Sequence, residues 1–406
     1  MMNRIKDEQT FPEQLEHCTL SSIFKRGKVG KNDFNNYRGI FRVNIFRSIL
    51  DRLIYNDYYE QIDEFLTDCN VGGPRGRNIR DNIFVLNAIT NNVNKGSGES
   101  CEIAAYGAEK CFDALWDQEC VNDLWDAGCR DDKLALLHLE NKRAQVAIKS
   151  SGEKSEPVNI YNVIMQGGVF GSIYCTSTMD KLGKIIYSDK KLLYDYKGTD
   201  VPCLQMVDDI LTITKCNSTA ITMNATVNSF IESKKLKLAE NKCSVIHVGK
   251  KSGNCPKLKV HGKKMHQDES IKYLGDSVHE SGKIRFNILE RRAKANGAFA
   301  EIRAILEDVP LGKYRTEVGL HLRQALFING VLFNSEVWHG VKSTDIDMLS
   351  IVDNQILRYI CNAHAKTPTE FLFVETGSLP LSFIIASRRM IYLQNVLQRN
   401  EEELVK

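Results

Sequence analysis

The chain has 406 residues, of which 43% are hydrophobic and 26% charged. That is ordinary globular composition with enough apolar content for about two or three packed domains, and it excludes wholesale disorder. No apolar run approaches bilayer length, and the opening MMNRIKDEQT lacks the apolar core of a secretory signal, so an intracellular chain, cytoplasmic or nuclear, with no membrane partner is expected. The net charge is only +3, but it is unevenly spread: ten lysines against the single acid Glu240 lie between Lys234 and Lys264.

The lysine-rich stretch and a second basic cluster (Lys25, Arg26, Lys28, Lys31, Arg38, Arg42, Arg47) suit either a polyanion or a solvated basic face. Twelve cysteines show no CxxC pair and read as reduced thiols. Cys255, His261 and His266 could supply part of a zinc site.

In chain order, Ser100–Ala105 reads as a strand bounded by the turn-rich NKGSGES. It runs into a helix in which Phe112, Trp116, Cys120, Val121, Leu124 and Trp125 keep helical spacing, with Gly128 at the C-cap. A joint, QGGVFGS, precedes a helix with Cys175, Met179, Leu182 and Ile186 on one face. CLQMVDDILTIT reads as two strands about an acidic tip, followed by a helix carrying Met223, Val227, Phe230 and Ile231, and then by strands at SVIHV and KLKV. Beyond Ser281-Gly282 the pattern is almost wholly helical, so a mixed α+β part is followed by a helical one.

The Asp208-Asp209 pair sits where the chain must reverse. Such a tip can hold Mg²⁺ through oxygen ligands, although an Asp-Asp turn is also commonplace. Gln166-Gly167 heads a helix, with Gly168 and Gly171 leaving room for a close ligand. Arg285, Arg291, Arg292 and Lys294 could line a phosphate backbone or a solvated helix face, whereas Trp338 and Leu326-Phe327-Ile328 read as core.

The ordered segments SSIFKRG, NYRGI, GRNIRDNIFVL, EKCFDALW, MQGGVFGS with MDKLG, MVDDI, LKLAENKC and IKYLG together give a sharper reading. Over roughly residues 10 to 400 the chain resembles the reverse transcriptase region of a retrotransposon lacking long terminal repeats (LINE-type). The tail from LFNSEVWHG to GSLPL is similar to the helical region that follows it. The resemblance implies a right-hand polymerase: fingers at 1–99, palm with inserted fingers elements at 100–281, and a helical thumb with C-terminal extension at 282–406. It also implies an RNA template, a DNA primer, a deoxynucleoside triphosphate and two Mg²⁺ ions. By the same resemblance Arg38 contacts the triphosphate, Gln166 and Gly167 lie along the nucleotide, and Phe112 excludes a ribose 2′-hydroxyl. Asp208 and Asp209 bind metal, Lys242 lies near the leaving pyrophosphate, and Tyr273-Leu274-Gly275 grips the primer.

One position departs from the family pattern. The first palm aspartate, six residues before Asp113, is replaced by Gly107. A carboxylate shared by two cations is worth about 4 kcal/mol per unit-charge pair at an effective dielectric near 20, so a loss of roughly a thousandfold in rate is expected. Glu109, Asp113 and Glu102 are the acids nearest in sequence that could substitute. Ser172 replaces a usual Pro, and Gly73-Pro74 replaces an aromatic and a basic residue, which weakens expected template contacts. With no room before residue 10 for an endonuclease domain, the chain reads as an excerpt of a polyprotein or as a decayed copy, and a non-catalytic nucleic-acid-binding scaffold is the alternative.

Overall fold

The computed structural model describes residues 5, 8, 12–25, 29–95, 100–142, 144–150, 152–162, 164–249 and 256–399. A single helical turn at Glu13–Glu16 leads into β1 (His17–Phe24), which is followed by β2 (Tyr37–Arg42), α1 (Ile45–Phe65), α2 (Ile79–Asn94) and β3 (Ser100–Gly107). Next come α3 (Cys111–Ala114), α4 (Asp117–Asp126), α5 (Asp132–Lys142), β4 (Gln145–Ser150), β5 (Glu153–Lys154), β6 (Val158–Asn159) and α6 (Val169–Ser188). After β7 (Tyr194–Tyr196) and β8 (Thr199–Val201) follow β9 (Leu204–Met206), β10 (Asp209–Thr214), α7 (Asn217–Ser233) and β11 (Ser244–Gly249). The short strands β12 (Lys259–Val260), β13 (Lys263–Lys264), β14 (His266–Gln267), β15 (Ser270–Tyr273) and β16 (Asp276–His279) precede α8 (Arg285–Leu306), α9 (Lys313–Leu322), α10 (Ser343–Ile360), α11 (Thr369–Thr376) and α12 (Leu381–Leu397).

These elements form two compact units that interleave along the chain. One takes the chain up to Asn78, Ala104–Cys243 and Pro256–His266. The other takes Ile79–Ile103, the β11 segment from Ser244, and the chain from Gln267 onward. The architecture is mixed α+β, with sheets flanked by helices.

In the first unit β1 pairs antiparallel with β2 and parallel with β4, and Cys18, Phe41, Val146 and Met165 close a small core on that sheet. Helix α1 starts at Asn44, whose side chain accepts from the Phe46 N–H. It buries Leu50, Ile54, Tyr58 and Ile62 at the three-to-four-residue spacing of one face. Helix α6 is buried on nearly every side, including Cys175, Met179, Leu182 and Ile186, as a central helix must be. The second half of β3 lies beside β10, which pairs with β9.

The expected single helix after β3 is two helices. Leu115 and Trp116 are extended between α3 and α4, and the Asp117 N–H donates to Asn162 Oδ1 at 2.9 Å. The break leaves Trp116 about half exposed, so the run of helical spacing across it was accidental. Gly128 takes φ +97° just past the end of α4, where only glycine is comfortable.

In the second unit α8 and α10 pack through Ile288, Ala295 and Ile302 on one side and Leu349, Val352 and Ile356 on the other. Phe327, Ile328 and Trp338 lie in the same core. Among the described residues no strand follows His279, as the helical texture predicts. Arg291 is not on a solvated face: it is buried, and donates to Asp276 and to the Gly275 and Gly330 carbonyls. Arg285 pairs with Asp345 at 3.1 Å. Among the described residues no single helix is long and apolar enough to cross a membrane. Helices α11 and α12 reach that length only together, across a 57° bend.

Candidate active site

The β9–β10 hairpin places its acids by an unusual turn. Asp209 faces Met206 in the ladder, leaving Val207 and Asp208 as the reversal. Val207 takes φ +57°, a conformation unfavourable for a β-branched residue and held only where neighbours over-determine it. Here the buried Asn70 does so: its Oδ1 accepts from the Val207 N–H at 3.3 Å and from the Gly72 N–H at 3.1 Å. A Cβ at Gly72 would lie 2.6 Å from Val207 Cγ2, so glycine is required beneath the tip. Asn70 carried no signal in the sequence, since its partner is 137 residues away.

Asp208 is half-buried and Asp209 more exposed at the start of β10. Loss of hydration is the main cause that raises the Asp208 carboxyl above its ordinary value, and the neighbouring Asp209 charge adds to it. Lys242 and Arg38 pull it back. Asp209 is also raised by loss of hydration and lowered by the same two cations. The fold thus gathers Asp208, Asp209, Lys242 and Arg38 into one electrostatic group. Arg38 reaches it from β2, opposite Ile23, and Lys242 from the short 3₁₀ turn Glu240–Lys242.

That turn is laid against the end of β3. The Ala239 N–H donates to the Gly107 carbonyl at 2.9 Å, and the Glu109 N–H to the Lys237 carbonyl at 2.8 Å. The lysine stem consequently lies on the glycine: a Cβ at position 107 would be 2.9 Å from Lys242 Cδ and 3.1 Å from its Cβ. Of the three acids named above, Glu102 is buried and engaged by His247, Nδ1 to Oε1 at 2.7 Å, and Glu109 and Asp113 are exposed. Lys242 and Arg38 are the cations that lower Asp209.

The remaining residues are placed differently. The Gln166 carbonyl accepts from the Phe41 N–H at 2.9 Å, which ties the segment to β2. Gly167 has φ +117°, and a Cβ there would meet the Phe41 carbonyl oxygen at 2.6 Å; one at Gly171 would meet the Met165 carbonyl oxygen at 2.2 Å. Close backbone packing therefore already requires these two glycines. Phe112 is half-buried in the first turn of α3. In the second unit Tyr273 receives a hydrogen bond from Asn82 Nδ2 at 3.2 Å, and Leu274 and Gly275 both take positive φ. Cys255 lies outside the described residues. His261 Nε2 bonds the Leu238 carbonyl, and His266 is exposed. Among the described residues no group of three or more His, Cys, Asp or Glu is placed to hold a metal ion.

Residues 29–278, more than half of the chain, match the family described as reverse transcriptase (RNA-dependent DNA polymerase). No curated protein matches the sequence. Among solved structures, apo telomerase from Candida tropicalis is 11% identical over 99% of this chain and 72% of that one, with a TM-score of 0.48. The same telomerase truncated from its C-terminal domain is 12% identical over 68% of this chain and 57% of that one, with a TM-score of 0.44. Telomerase from Candida albicans, in complex with a TWJ fragment of telomeric RNA, is 13% identical over 97% and 65%, also with a TM-score of 0.44. The chain spans between 57% and 72% of the length of these structures. With its acidic hairpin on a helix-covered sheet and a family match across most of both, this chain belongs to the reverse transcriptase family and has the right-hand polymerase fold.

Proposed function

We propose that the chain is the reverse transcriptase region of a non-LTR retrotransposon, acting inside the cell. It binds an RNA template, a DNA primer and a deoxynucleoside triphosphate, and its nucleotidyl transfer is impaired. The observation that carries the impairment is Gly107 with the Lys242 stem against it. Asp208 and Asp209 offer oxygen ligands suited to Mg²⁺. A two-ion clamp needs a further carboxylate opposite them, and a hydrogen atom covered by a lysine stem supplies none. The residues present therefore do not fit the paired-ion site of the family. Arg38 and Lys242 remain as cations beside the hairpin, and their charge suits a polyphosphate. Eleven free cysteines among the described residues accord with a reducing compartment.

The test is primer extension on an RNA template with Mg²⁺, comparing the natural chain with Gly107→Asp. Gly107 does not occupy the left-handed region, and the obstructing atoms belong to a flexible side chain, so the substitution can be accommodated. Extension faster by roughly a thousandfold in the variant is expected. Measurable extension at equal rates by both would overturn the claim of impairment, and binding of the primer–template by both proteins without extension by either would favour the non-catalytic scaffold.

A further inference from the structure

We propose that the β12–β13 ribbon is a phosphate-binding surface in which Lys257, Lys259 and Lys264 hold the backbone of a nucleic acid outside the acidic hairpin. The proposal rests on the nucleic-acid-binding reading above and adds a site to it. The ribbon is two-faced: Leu258, Val260 and Met265 are buried, while Lys257, Lys259, Lys263 and Lys264 are exposed. Its register sets Lys259 directly across from Lys264. Like charges facing each other across a ladder destabilise it, and an anion lying over both removes the repulsion.

The support beneath is fixed. Asn224 and Asn228 on α7 both donate to the Lys259 carbonyl, at 3.0 and 3.1 Å, and the Met265 N–H donates to the Leu258 carbonyl at 2.9 Å. The one acid within the lysine-rich stretch, Glu240, is taken by Lys263 at 3.0 Å. Among the described residues no acid pairs with Lys257, Lys259 or Lys264. The outward cations are all lysines. Ammonium point charges on flexible stems suit evenly spaced phosphates, whereas a planar carboxylate partner favours the guanidinium fork.

The test measures binding of a fluorescein-labelled DNA primer annealed to an RNA template, by anisotropy, across a KCl series. The natural chain is compared with three triple variants: Lys257→Gln/Lys259→Gln/Lys264→Gln, the same positions changed to Arg, and Lys154→Gln/Lys190→Gln/Lys191→Gln as an exposed control. The expected result is a slope of log Kd against log[KCl] shallower by about 2 to 3 in the first variant, at about 0.9 per released duplex phosphate contact. The Arg variant and the control should keep the natural slope. If the natural chain binds and the first variant keeps its slope, the lysines serve only to keep the ribbon edge soluble and this proposal fails alone. If the natural chain does not bind the duplex at all, both this proposal and the reading beneath it fail. Loss of binding to polyglutamate without loss of duplex binding would identify an acidic protein as the partner and would also overturn the proposal.

Discussion

Gly107 and Lys242 are in contact across the end of β3: a Cβ at the glycine would fall 2.9 Å from the lysine Cδ. An aspartate introduced there enters a buried position whose nearest neighbour is a lysine stem. Its charge is costly alone and offset by a cation. In a double-mutant cycle of Gly107→Asp and Lys242→Ala, urea unfolding should give a favourable coupling of about 1–3 kcal/mol between the introduced carboxylate and the lysine. Additive effects would mean that the two side chains do not meet.

The strained hairpin tip depends on Asn70. Replacing it by Ala leaves the Val207 and Gly72 N–H groups without their shared acceptor. A loss of about 1–3 kcal/mol in stability is expected, because a buried donor left unmade costs its full desolvation. Asn70→Asp, which keeps an acceptor, should lose less than Asn70→Ala at the same pH; an equal loss would remove Asn70 from the role given to it.

Asp276 accepts from Arg291, Asn287 and Asn334, all buried. Asp276→Ala strands the Arg291 charge and should cost about 3–5 kcal/mol, whereas Asp276→Ala with Arg291→Met should recover part of that loss. Denaturant midpoints of the two variants check this, and a double variant no more stable than the single would contradict it.

His339 packs on Phe84 at 5.0 Å between ring centroids and donates from Nδ1 to the Val337 carbonyl at 3.0 Å. Burial lowers its pKa below the ordinary value, and the Arg389 and Lys95 charges act in the same direction. Between the lowered folded value and the ordinary one, the unfolded chain binds more protons. The contribution to stability is therefore whole above about pH 6.5 and is lost as pH falls through the folded value. Melting temperatures at pH 7 and pH 5 should show a smaller drop for His339→Phe than for the natural chain.

Local pattern was a good guide where an element's own residues decide it. β3, the acidic hairpin and α7 lie where alternation, turn residues and helical spacing place them, because period and burial are set by neighbours a few positions apart. The break at Leu115 and Trp116 escaped the pattern because Asn162, 45 residues on, supplies the acceptor that starts α4 anew. Glu102 looked like a substitute carboxylate until His247, 145 residues away, was seen to engage it. Arg291 read as lying either along a phosphate backbone or on a solvated helix face, yet Asp276 draws it into the interior.

The amino-acid order by itself determined the family, the mixed α+β class and the presence of a glycine at position 107, since these are properties of residue identity and short-range periodicity. What surrounds that glycine was decided only by folding. Backbone bonds from Glu109 and Ala239 carry the Lys242 turn onto β3 and set its stem against Gly107, and long-range ladders of this kind leave no periodic trace along the chain.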